Sequence, residues 1–138
     1  MRLLERIHAG DDLTPRKEAR YDVLKLGMTF PRPELCRRID ERLIRRLDAG
    51  MAEEIQRLLD SGATPEFLDG LGLEYRYVYR YVAGLLTREE MLDELSRAIK
   101  RFAKRQMIWF RRDASILWLD MAGNPMAQAC QAIDAFLA

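Results

Sequence analysis

The stretch from Thr87 to Arg112 restricts the fold of this chain more than any other. Thr87-Arg88-Glu89-Glu90 is a capping box: the threonine hydroxyl accepts the N–H three residues on, and the glutamate accepts the threonine N–H in return. It predicts a helix that begins there and runs to about Arg112. Leu92, Leu95, Ile99, Phe102, Ala103 and Phe110 recur at helical spacing and form its predicted buried stripe. From Ser96 to Arg112 the helix also carries seven cations, Arg97, Lys100, Arg101, Lys104, Arg105, Arg111 and Arg112, and no acid. The net charge of the chain is only +1, so everything outside this helix is net acidic. Such asymmetry points to a local anion-binding face rather than a generally basic protein.

The flanking segments read as shorter elements. Residues 2–9 suit a short helix and 10–20 a polar connector. Val23, Leu24 and Leu26 form an apolar run bounded by Gly27 and the Pro31/Pro33 pair, which predicts a strand over 22–29. Pro33 opens a helix in which Leu35, Ile39, Leu43 and Leu47 share one face. Gly50 interrupts, and a second helix runs through Ile55, Leu58 and Leu59 to Ser61-Gly62. Thr64-Pro65 starts a short helix. Tyr75, Tyr77, Tyr79 and Tyr81 alternate as in a strand, but Leu73, Tyr77 and Tyr81 lie four apart and Gly84 closes the segment, so a helix is expected. Residues 116–120 read as a second strand, and Asn124-Pro125 starts a last helix. The fold class is therefore mainly α with two short β-strands, in one domain over 1–138.

Several functions are excluded for the chain as it stands. There is no Gly-Lys pair and no Gly-x-Gly-x-x-Gly pattern, so it holds no recognisable phosphate loop. No catalytic residue and no metal ligand set is assigned. Cys36 and Cys130 lack metal-site spacing and do not make a disulfide framework, which suggests a reduced, cytoplasmic setting. His8, the single histidine, has no serine or acid constellation around it and reads as structural. No apolar run approaches the ~20 residues that span a bilayer, and no signal-peptide core is present.

Cations beside aromatics on one helix suit a phosphate backbone and an unstacked base. A solvated face paired with acids elsewhere fits the charge pattern equally well. Specific residues favour RNA. Phe102-Ala103-Lys104-Arg105-Gln106-Met107-Ile108-Trp109-Phe110-Arg111 resembles the carboxyl-terminal signature of the tRNA dimethylallyltransferase (tRNA isopentenyltransferase) family. Gly72-Leu73-Glu74-Tyr75-Arg76-Tyr77 resembles a variant found in one branch of it. Arg32-Pro33-Glu34-Leu35 with Arg38-Ile39, and Gly50-Met51 with Glu53-Glu54, Leu58-Leu59 and Gly62, follow in family order. The resemblance covers about 21–120. Ile99 and Ile108 stand where the family has threonine.

The resemblance implies an α+β fragment of a P-loop-type α/β transferase, its carboxyl-terminal portion. The complete enzyme moves a dimethylallyl group from its diphosphate to the exocyclic amine of the adenosine next to the tRNA anticodon, with magnesium on the diphosphate. That adenosine must leave its stack. Here the implied roles are diphosphate contact by Arg32 and tRNA binding by Arg97, Arg101, Lys104, Arg105, Gln106, Trp109 and Arg111. The implied partners are the tRNA anticodon stem-loop and a P-loop half that lies upstream in the family. No cofactor is expected in this chain itself. Trp109 lies at the border of the buried stripe and is expected to pack inside, with contact to RNA as the alternative. Gln106 bonds either protein backbone or RNA. The alternative reading is a standalone, non-catalytic RNA-binding helical module.

Overall fold

A computed structural model describes residues 21–138; the helix expected at 2–9 and the connector at 10–20 lie outside the described residues. The element order is β1 (Lys25–Thr29), α1 (Arg32–Asp48), α2 (Met51–Asp60), α3 (Pro65–Leu71), α4 (Leu73–Val82), α5 (Arg88–Phe110), β2 (Ile116–Asp120) and α6 (Pro125–Leu137). The mainly helical fold with two short strands is what the sequence implies.

The helix boundaries follow from local chemistry. Glu90 N–H donates to Thr87 Oγ1 at 3.2 Å and Thr87 N–H to Glu90 Oε2 at 2.8 Å, so the capping box forms in full. Thr64 and Asn124 cap α3 and α6 through their side-chain oxygens, each followed by a proline that has no N–H to leave orphaned. Gly50 ends α1 and begins α2 at φ 95°, a left-handed conformation that a side chain would oppose. The tyrosine-rich segment is a helix, and its one fully buried residue is Val78, between the tyrosines.

The core comprises Leu43, Met51, Ile55, Leu68, Val78, Met91 and Leu95, contributed by α1, α2, α3, α4 and α5. It occupies one end of the molecule. The two strands lie at the other end and pair in parallel, with Lys25 opposite Ile116, Gly27 opposite Trp118 and Thr29 opposite Asp120. α1 and α5 connect the two ends. A Cβ on Gly27 would stand 2.8 Å from the Trp118 ring and 2.7 Å from Ile116 Cγ2, so glycine here makes room for the indole.

Two expectations need correction. The first strand covers Lys25–Thr29 rather than 22–29, because its partner is only five residues long. Phe102 and Phe110 do not face inward; they are 45% and 42% exposed. The buried arc of α5 rotates along its length. In the first half Met91, Leu95 and Ala98 are buried. In the second half Ala103 and Met107 are partly covered, toward α1 and the strands. Leu71, Gly72 and Leu73, where α3 meets α4, line a groove with Ile99 and Phe102, and the next residues on that side of α5, Arg105 and Trp109, are exposed.

One ionic cluster fastens the strand end. Lys25 Nζ donates to Asp113 Oδ2 at 2.6 Å, and the Ser115 hydroxyl and N–H donate to Oδ1 at 2.6 and 3.0 Å. These bonds, Lys25 foremost, hold the Asp113 carboxyl at about 2 against an ordinary 3.8. A depressed acid contributes stability above its ordinary value and loses it as pH falls through the folded one. Asp113→Asn is therefore expected to be less stable than the parent above pH 3.8, with the gap closing toward pH 2. Thermal midpoints of both proteins across that interval check this; a gap independent of pH would refute it.

Candidate nucleic-acid interface

The charged side of α5 divides into two parts. In the first, acids already occupy the cations. Arg97 pairs with Asp93 one turn earlier, its Nε donating to Oδ1 at 2.9 Å. Lys100 Nζ donates to Asp40 Oδ2 of α1 at 2.6 Å, and the Ser96 hydroxyl donates to Asp40 Oδ1 at 2.7 Å. Partial burial opposes ionisation of Asp40, but these bonds from Lys100 and Ser96 prevail and hold its carboxyl below the usual range.

In the second part the cations are free. Arg101, Lys104, Arg111 and Arg112 are exposed and have no ion pair among the described residues. Arg105 places its guanidinium 5.7 Å from the centre of the Phe102 ring, a cation–π arrangement that keeps its charge outward. Ile108 is exposed on the same side, whereas Ile99 packs against the core.

Arg32 joins this second part. It is the first residue of α1, just past the carboxyl end of β1, and its Nη2 donates to the Lys100 carbonyl at 3.1 Å. A cleft of about 560 Å³ runs between that strand end and α5, lined by Thr29, Phe30, Arg32, Lys104, Ile108 and Arg111 among others. Three of its residues are cations and none is an acid. The carboxyl ends of parallel strands are where open α/β sheets bind ligands. The sequence places Arg32 and Lys104 far apart, and only the fold brings them to one cleft.

Other expectations fare differently. Gln106 is exposed and bonds no backbone group among the described residues. It lines a second groove of about 600 Å³ with Ala103, Met107, Phe110, Gly27 and Trp118. Trp109 does not pack inside: it is 65% exposed, and its ring stands against that of Phe110 with centres 5.0 Å apart at 81°. Past Ala98 the covered arc of the helix has turned away from it. The neutralising acids Asp93 and Asp40 were missed as part of the site. Asp93 was legible as an i,i+4 partner of Arg97, while Asp40 lies 60 residues from Lys100.

A family model described as IPP transferase matches residues 2–113. The chain belongs to that family. It is 47% identical over 119 residues to tRNA dimethylallyltransferase 2 of Trichlorobacter lovleyi, covering 83% of this chain and 39% of that protein. With the protein of the same name from Pelobacter propionicus it shares 45% over 129 residues, 91% of this chain and 40% of the relative. Among solved structures, the full-length tRNA isopentenylpyrophosphate transferase of Bacillus halodurans superposes with a TM-score of 0.74 at 30% identity, over 99% of this chain and 42% of that one. The corresponding Staphylococcus epidermidis structure, at 23% identity and a TM-score of 0.75 over 89% of this chain and 41% of that one, shares the fold. The chain thus spans about two fifths of the length of these relatives, in their carboxyl-terminal part.

Trp109 gives a direct check of its altered placement. A buried aromatic truncated to alanine costs about 3–5 kcal/mol, whereas a solvent-facing one is worth about 1 kcal/mol or less. Trp109→Ala should fall in the second range in urea denaturation; a loss in the first range would place the ring inside.

Proposed function

We propose that this chain forms the tRNA-binding, carboxyl-terminal portion of a tRNA dimethylallyltransferase. The activity of the complete enzyme is transfer of dimethylallyl from its diphosphate to the adenosine beside the anticodon. The observation that carries the reading is the set of free cations on the second half of α5, continuous with the Arg32–Lys104–Arg111 cleft. Arg101, Lys104, Arg105 and Arg111 meet the backbone of the anticodon stem-loop. Exposed Trp109 offers a stacking surface to an unstacked base, and Gln106 offers amide hydrogen bonds to RNA. Arg32 contacts the diphosphate. Arg97, held by Asp93, contributes least. The relatives' names support tRNA as the partner class.

Catalysis needs more than the described residues supply. The sequence has no phosphate loop, and the P-loop half found upstream in the family is the partner that completes it. Magnesium would accompany the diphosphate, but the described residues do not fit it: no group of three or more His, Cys, Asp or Glu is gathered among them, and the cleft is cationic. No step is therefore assigned to a metal here. The setting proposed is cytoplasmic; no helix among the described residues is long and apolar enough to cross a membrane. A standalone RNA-binding module rests on the same cations, and a P-loop-bearing partner that restores turnover would decide against it.

Two outcomes are expected. With tRNA, magnesium and dimethylallyl diphosphate, the 138-residue chain alone should form no prenylated product, because electrostatic positioning and general base catalysis are each worth several kcal/mol. Detectable turnover would overturn the assignment of catalysis to a missing half. In anticodon stem-loop binding across a salt series, Lys104→Ala should lower the log–log slope by about 0.7–0.9, the value of one phosphate contact. Arg97→Ala should change it less. Equal slopes in parent and Lys104→Ala, with both proteins folded, would make the basic face merely solvated.

A further inference from the structure

Asp40 is an acid on the seam of a basic site, and the reading above gives it no role. It projects from α1 and is held by two donors of α5, Lys100 Nζ at 2.6 Å and Ser96 Oγ at 2.7 Å. The same Lys100 offers its backbone carbonyl to Arg32 Nη2 at 3.1 Å. Lys100 is thus bound twice to α1, by its side chain to Asp40 and by its main chain to Arg32. The two bonds act on one residue from two points of α1 eight positions apart in sequence. The Asp40 ion pair is partly shielded, since the Lys100 side chain is only 26% exposed. The Arg32 bond is exposed and single, so by itself it holds a long side chain weakly.

We infer that Asp40 is a positioning residue: by locking Lys100 and Ser96 it fixes the α1–α5 crossing that holds Arg32 in the cleft beside Lys104 and Arg111. It also withdraws the Lys100 charge from that neighbourhood. An unpaired ammonium there would repel the Arg32 guanidinium bonded to the same residue. The inference rests on reading the cleft as a phosphoryl site, and it adds the residue that keeps the site assembled. Asp40 itself touches no phosphate.

The test uses the full chain and nitrogen-15 NMR of arginine side chains, with inorganic pyrophosphate as the probe. A guanidinium held by a directional bond rotates slowly and gives a distinct side-chain signal; a released one averages. In the parent, the Arg32 signal should be distinct and should shift saturably with pyrophosphate. Asp40→Asn, nearly isosteric and still able to hydrogen-bond, should average the Arg32 signal and weaken pyrophosphate binding about tenfold, as expected for loss of one charge-assisted bond. Asp40→Glu, which keeps the carboxylate, should restore both. Arg32→Ala should weaken pyrophosphate to the same extent, with no further loss in the Arg32→Ala/Asp40→Asn double variant. Additive losses, or an Asp40→Asn protein with an unchanged Arg32 signal, would overturn the inference. Amide spectra check that each variant is folded. Should pyrophosphate leave the parent Arg32 signal unmoved, the phosphoryl reading of the cleft fails, and the Arg32 signal in Asp40→Asn still decides whether Asp40 positions it.

Discussion

Burial of Met91, Leu95 and Ala98 against the neighbouring helices sets the rotation of α5 about its own axis. Each fully buried side chain of the size of leucine or methionine contributes about 1.5–3 kcal/mol. The helix is one rigid rod of 23 residues, so the orientation chosen in its first three turns is imposed on the rest. Arg101, Lys104 and Ile108 face outward for that reason. The binding face is a by-product of packing at the far end of the same helix.

Local charge pairing then narrows the face. Asp93 and Asp40 take up Arg97 and Lys100, which leaves the positive field concentrated over the carboxyl-terminal half of α5 and the mouth of the cleft. Exposed pairs such as Arg97–Asp93 add little to stability. Their effect is on the shape of the potential, because a compact group of unpaired cations attracts a phosphate more strongly than the same charges spread along a neutralised helix.

Some of this was legible in the residues and some was not. The capping box at Thr87, the proline-initiated helices and the strand at Ile116–Asp120 are determined by neighbours in sequence, and they appear where the sequence places them. The tyrosine segment was ambiguous between two periods, and the closing glycine decided it correctly. Phe102, Phe110 and Trp109 were misplaced because periodicity defines a face without saying how far along the helix that face is covered. The reach of α3 and α4 along α5 is set by tertiary packing, and nothing in the sequence of α5 records it. The cleft was equally hidden, since Arg32 and Lys104 come from helices that meet only after folding. The Asp40–Lys100 pair was hidden too, being long-range contact between ordinary surface residue types.

The contrast between the two tryptophans has a practical side. Trp118 fills the space left by Gly27 inside the strand end, and Trp109 stands on the open face of α5. They are the only two indoles of the chain. Emission from Trp109 is accessible to aqueous quenchers and to a stacked base, while Trp118 is a reporter of strand pairing. Replacing either by phenylalanine gives a single-fluorophore protein, so ligand arrival and loosening of the sheet can be followed as separate optical signals in one scaffold.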